Sequence, residues 1–380
     1  GIILMGLCFW LSACSTPTQS TFIVPSTSIE IVTTITPTSQ LLPTILVPMP
    51  TQTIPPLDPM ADLHSRWMAY ITAQDGDTHL NSEIYRMRMD GSDRQLLLSE
   101  PYVFIGLTAS PDGSQLAFYG CPGSISSDCS GGTDFDIFLL PFDGGEFKAL
   151  TGPEGEDYYP DWSPDGRIAF TSFRENLGQV YILDLQSGEE IQVTKDGSYN
   201  TEPKWSSDGQ WIAFHYRDEL NTHIRVISPE GEFAGLPLEG TMPVWSPGSR
   251  SEPLLAFLCF SGSYSDVCVA SPDGSSVRNL TNSPWDESSP TWSPDGKWLA
   301  FSTNRGNDVD IYKIFVDCPE GTEPVRVTDG TRAVSSPLWT PEGDWLVFHE
   351  GQDLMVIKAD LSYTSFLASP VFGKPVFLTK

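Results

Sequence analysis

The chain has 380 residues and is 39% hydrophobic, with 11 Trp, 20 Phe and 12 Tyr, enough apolar bulk for a large core. Its 49 acidic residues against 21 basic ones give a formal charge of −28, which repels phosphate backbones and argues against nucleic acid as a partner. The 32 Gly and 32 Pro predict many turns, and no long stretch carries an amphipathic 3.6-residue period, so the expected class is all-β.

The chain opens on an apolar run, Gly1 to Ala13, too short to span a membrane as a mature helix and ending in small residues. Leu11-Ser12-Ala13-Cys14 resembles the bacterial lipobox, in which Cys14 would be lipidated and become the mature N-terminus. Residues 1–14 therefore read as a lipoprotein signal peptide, shortened at its start because no initiator Met or basic segment precedes the run. From Ser15 to Met60 the chain is rich in Thr, Ser and Pro, and Glu30 and Asp58 are its only charges. Repeated Pro opposes helix and favours extended segments, so residues 15–60 are expected to be a disordered tether.

A repeat fills residues 61–380. Its sharpest copy is Pro290-Thr291-Trp292-Ser293-Pro294-Asp295-Gly296-Lys297-Trp298-Leu299-Ala300-Phe301. Pro-Asp-Gly is turn chemistry, with apolar strand formers on either side. The Ser or Thr of the turn recurs at Ser110, Ser163, Ser206, Ser246, Ser293 and Thr340, in steps of 53, 43, 40, 47 and 47 residues. That period fits a propeller blade of four strands. Each turn leads into an apolar-Ala-aromatic strand such as Leu116-Ala117-Phe118 or Ile212-Ala213-Phe214, and a seventh strand of this kind, Met68-Ala69-Tyr70, has no turn before it. Third and fourth strands follow in each copy. Seven sets of strands two to four thus stand against six first strands. Residues 374–379 match the pattern of Met242–Ser246 and are expected to pair with 67–72, closing a seven-bladed ring, with six blades as the alternative.

Pro-x-Trp-Ser-Pro-Asp-Gly-x-x-Leu-Ala-Phe followed by Asp-Ile-Tyr resembles the WD40-like repeats of the TolB family of periplasmic propellers. The resemblance implies the fold over about residues 61–380. The protein that gives the family its name carries an N-terminal α/β domain and a six-bladed propeller that docks a peptidoglycan-associated lipoprotein. A tether and seven blades here argue against that particular role.

Among the remaining cysteines, Cys121 with Cys129 and Cys259 with Cys268 each flank a strand-two-to-three hairpin, so both pairs are expected to be disulfides. Cys318 is left as a buried thiol, and no His stands at zinc-ligand spacing. Arg174, Arg217 and Arg305 follow second strands and are expected to pair with acids such as Asp136 or Asp310. The candidate ligand-binding residues lie just before the inner strands, where loops ring the central channel: Asp157, Tyr158, Tyr159, Asn200, Glu202, Asp286, Glu287 and Arg332. A ring of acids, aromatics and amides suits a peptide, a sugar or a cation.

No Gly-x-Ser-x-Gly elbow occurs, and the chain ends with its last blade, whereas the similar propellers of prolyl oligopeptidases accompany a hydrolase domain. The expected function is therefore non-enzymatic: a monomeric, exported, membrane-anchored lipoprotein, periplasmic or on the cell surface, that binds an envelope protein or glycan and needs no cofactor. The alternative is a polysaccharide lyase. Oligogalacturonate lyases look similar in repeat type and bind a metal through His in the channel. His215 and His349 both follow a strand-two Phe, but strand two is not the innermost strand, which argues against their meeting there.

Overall fold

The turn motif explains its own composition in the computed structural model, which describes residues 58–73, 82–122, 135–217, 222–306, 308–329 and 332–378. In four turns the motif Ser donates its Oγ–H to the Asp carboxylate two residues on: Ser110 to Asp112 (2.7 Å), Ser206 to Asp208 (2.6 Å), Ser293 to Asp295 (2.6 Å) and Ser163 to Asp165. The same Oγ accepts the N–H that begins the second strand, from Trp211 and from Trp298 at 2.9 Å each. Gly166, Gly209 and Gly296 take φ of 91°, 70° and 69°, left-handed values that glycine adopts without strain.

The elements among the described residues are all strands, arranged as seven four-stranded antiparallel sheets. The inner strands of blades 1 to 7 are Phe372–Phe377, Tyr102–Ala109, Asp157–Trp162, Tyr199–Trp205, Thr241–Trp245, Glu287–Trp292 and Val334–Trp339. The C-terminal strand heads the first blade by pairing with Trp67–Ala73, in the register Met68↔Phe377, Ala69↔Val376 and Ile71↔Phe372. The ring therefore has seven blades and closes as the strand count requires, which removes an exposed sheet edge.

The core lies between blades. Val180 and Ile182 of blade 3 pack with Trp205, Ile212 and Phe214 of blade 4, and the same pairing recurs from blade to blade. Phe118, Phe170, Phe214 and Phe301 have no accessible surface, each burial being worth about 1.5–3 kcal/mol. The motif Trp also straps blades together: Trp245 Nε1–H donates to the Lys204 carbonyl (2.8 Å) and Trp292 Nε1–H to that of Val244 (3.0 Å).

Every inner strand shifts register part-way along. The shift coincides with a left-handed residue: Gly106, Tyr159, Glu202, Met242, Ser289, Ser336 and Gly373, with φ between 51° and 69°. Five of these are not glycine, and such strain survives only where surrounding contacts enforce it. At Glu202, Met242 and Gly373 strand two of the preceding blade supplies such a contact. Thr171 Oγ1 accepts the Glu202 N–H (3.0 Å) and His215 Nε2 accepts the Met242 N–H (2.9 Å). His349 Nε2–H donates to the Gly373 carbonyl (2.8 Å).

Two expectations need correction. Arg174 pairs with Asp157 (3.6 Å) and Glu190, and Arg305 with Glu287 (4.0 Å) and Glu323 (3.0 Å); neither reaches Asp136 or Asp310. Each Arg turns instead to the inner-strand acid of its own blade. Cys318 is buried as expected but is disulfide-bonded, not a thiol. The Cys259–Cys268 disulfide is present, and Cys121 is disulfide-bonded, although Cys129 lies outside the described residues. The signal peptide and tether, Cys14 included, also fall outside them up to residue 57.

Candidate functional site

The bulged inner strands of four consecutive blades enclose a cavity of about 560 Å³ at the centre of the ring. Blade 1 contributes Phe372, Gly373 and Lys374, blade 2 the run Val103 to Thr108, blade 3 Tyr159 and Pro160, and blade 4 Glu202 and Lys204. Its wall is apolar along Val103, Phe104, Ile105 and Leu107, and its polar groups are few, the usual make-up of a small-ligand pocket.

Of the eight candidate residues, Tyr159 and Glu202 line this cavity. Both occupy the left-handed bulge position. The Glu202 carboxylate turns toward His215 Nδ1 (3.6 Å), and that interaction holds its carboxyl below the ordinary range. The Tyr159 phenol packs beside Tyr119 and Tyr158, and burial pushes it up, so it presents a neutral hydroxyl. Tyr158 is half-buried against Phe135, and its hydroxyl donates to Glu156 (2.8 Å).

Asp157, Asn200 and Glu287 are closed off from solvent at the blade crossings. Asn200 Nδ2–H donates to Asp196 (2.7 Å). Glu287 accepts from Ser283 (2.8 Å) and Thr303 (3.2 Å), close to the equally buried Asp266. Burial, with the Asp266 charge behind it, pushes the Glu287 carboxyl up to about 7, and burial pushes Asp157 up to about 6. Asp286 is exposed and Arg332 pairs with Glu350 (3.1 Å) beside a separate recess between blades 6 and 7, so neither shares the channel cavity.

The sequence reading missed Lys204, Lys374 and the apolar wall. One signal marks the channel position: the residue just before the inner-strand Pro, which is Tyr159, Glu202 and Lys374 in three of the cavity's strands.

His215 and His349 each fasten the inner strand of the following blade. The carbonyl at Gly373 fixes the His349 tautomer with its proton on Nε2, and the Met242 N–H leaves the proton of neutral His215 on Nδ1. Among the described residues no three His, Cys, Asp or Glu side chains stand at metal-holding distances. We expect His349→Ala to lower stability by about 1–3 kcal/mol, because it takes a partner from the partly buried Gly373 carbonyl, and His215→Ala to cost about 0.5–1.5 kcal/mol, because the Met242 N–H it releases is exposed and can turn to water. Denaturant melts check this, run alongside manganese titrations. Loss of bound manganese at unchanged stability would assign both residues to a metal centre instead.

Comparison with known proteins agrees with the ring. Residues 124–238 match the family model described as the TolB beta propeller domain. An uncharacterized protein of Agrobacterium fabrum is 25% identical over 242 residues, covering 58% of this chain and 79% of that protein. A TolB homolog of Chlorobium luteolum is 30% identical over 141 residues, 28% of this chain and 32% of the homolog, so the match spans about a third of that relative's length. Among solved structures, TolB from Acinetobacter baumannii superposes with a TM-score of 0.51 at 17% identity, covering 83% of this chain and 67% of that one. An oligogalacturonate lyase in complex with manganese gives 0.57 at 16% identity, covering 75% and 83%. At such identities these structures speak for the fold.

Proposed function

We propose, from the premise that this chain is a TolB-like β-propeller, that it is an exported binding module taking part of a protein or glycan into the channel cavity without converting it. One observation carries the reading. The cavity is walled by apolar strand residues with few polar groups, and the two histidines nearest to a catalytic role are spent on holding inner strands. Such a pocket recognises a shape and a small number of polar contacts.

The Cys259–Cys268 disulfide fits an oxidising compartment outside the cytoplasm, and lipidation at Cys14 would anchor the chain there. Cys14→Ala is expected to move the full chain from the membrane fraction to the soluble one; unchanged partitioning would remove the anchor from the proposal.

The binding role is tested by glycan-array and envelope-protein screens with the full chain and with Tyr159→Ala, whose side chain lines the cavity. The expected result is a ligand retained unaltered by the parent and lost by the variant. Release of a cleaved product, or binding indifferent to the variant, would overturn the reading.

A further inference from the structure

The parent reading leaves open what the cavity selects, and its charges bear on that. Four charged side chains are close to it, and three are matched. Lys204 Nζ pairs with Asp161 (3.1 Å), whose second oxygen accepts the Trp205 N–H (2.8 Å). Glu202 faces His215. Lys374 has no acidic partner within ion-pair distance among the described residues, in a chain with 49 acids to 21 bases.

Lys374 is accessible to water inside the cavity yet surrounded by protein. Loss of solvation, followed by repulsion from Lys204, pushes its ammonium down to about 8. A lone cation beside the apolar Phe372 and Ile105 presents half of an ion pair.

We propose that the cavity binds an organic carboxylate with an apolar body, its carboxylate on Lys374 and its body against the wall formed by Phe104, Ile105 and Leu107. This deepens the binding function above and rests on it. The chemistry is that of a peptide C-terminus with an apolar last residue, or of a free aliphatic acid.

The test is calorimetric titration of the full chain with N-acetyl-leucyl-phenylalanine as free acid, the same dipeptide as its C-terminal amide, octanoate, and glucuronate, which has a carboxylate and no apolar body. Either or both of the first acid and octanoate should bind; the stronger names the source. The amide and glucuronate should bind at least tenfold more weakly. Lys374→Met, on an accessible side chain and checked for an unchanged melt, should lose the acid's advantage, and affinity should fall as pH rises past about 8 while Lys374 gives up its proton. Equal binding of acid and amide, preference for glucuronate, wild-type binding by Lys374→Met, or no binding of either apolar acid would overturn the carboxylate assignment. Each leaves the broader binding role to be judged by whether the screened ligand depends on Tyr159.

Discussion

Deleting residues 371–380 abolishes the cooperative unfolding transition: this is the expected result, and it is the largest effect that the ring predicts. The deletion takes away the inner strand of blade 1 and with it the pairing of Phe377 with Met68 and of Val376 with Ala69. It removes two nearly inaccessible apolar side chains, Val371 and Leu378, each at 2% exposure, together with the partly buried Val376 and Phe377. The Leu378 N–H gives up the Trp67 carbonyl (3.2 Å), the Val371 N–H that of Gln352 (3.0 Å), and His349 loses its acceptor at Gly373. At about 1.5–3 kcal/mol for each fully buried apolar side chain and about half that for the partly buried pair, the loss is roughly 4–9 kcal/mol. A domain's whole net stability is about 5–15 kcal/mol, so little remains. Urea melts followed by tryptophan fluorescence provide the measurement. A truncated chain with the parent midpoint and slope would show that closure contributes nothing. Adding the missing segment as a peptide is expected to restore a transition, because it can re-form the edge strand in trans.

Closure was readable because a period survives variation in any one copy. Counting seven second strands, six apolar-Ala-aromatic and one Leu346-Val347-Phe348, against six turns leaves one inner strand to be found, and the Pro-Val-Phe of residues 375–377 fills it. The turn was readable for a similar reason: its Ser, Asp and Gly each serve a local backbone need, which sequence reports directly. The cavity was not readable in this way. Alternation along a strand assigns residues to faces only while the register holds, and here each inner strand carries a bulge at a left-handed residue. Past such a point the faces exchange. Asp157 and Tyr159 look alike as polar residues before a strand, yet the first is sealed between blades and the second meets the channel. The histidines follow the same rule. Nothing local distinguishes His215 from Thr171, its counterpart in blade 3, until both are seen holding the next blade's bulge. The unmatched charge at Lys374 is not legible locally, because its environment is made by blades 2 to 4, far away in sequence.

The sealed acids give the second large effect, a stability that falls as pH rises from about 4.5 to 7. Glu287 is 1% exposed, and burial raises its folded-state pKa from 4.5 to about 7, with Asp266 adding like charge and Arg305 opposing. Asp157 behaves similarly, from 3.8 to about 6. In the unfolded chain both return to ordinary values. Across the window the folded state therefore binds more protons than the unfolded one, and stability declines with pH. For Glu287 the span is worth on the order of 3 kcal/mol at about 1.4 kcal/mol per pK unit. The opposite slope comes from Glu202, whose carboxyl His215 holds below its usual range and whose contribution is lost toward acid. Glu287→Gln keeps the shape and the acceptor for the Ser283 and Thr303 hydroxyls while removing the charge. Its new amide nitrogen takes the place of the oxygen that accepts from the Thr281 hydroxyl (3.3 Å), and that hydroxyl can accept in turn. The variant is expected to match the parent near pH 4.5 and to exceed it by about 2–3 kcal/mol at pH 8, as read from denaturant midpoints at a series of pH values. If the parent's profile is flat across that window, or if the variant loses the same stability at every pH, Glu287 is ionised in the folded ring and the crossing between blades 5 and 6 holds a charged carboxylate, not a neutral one.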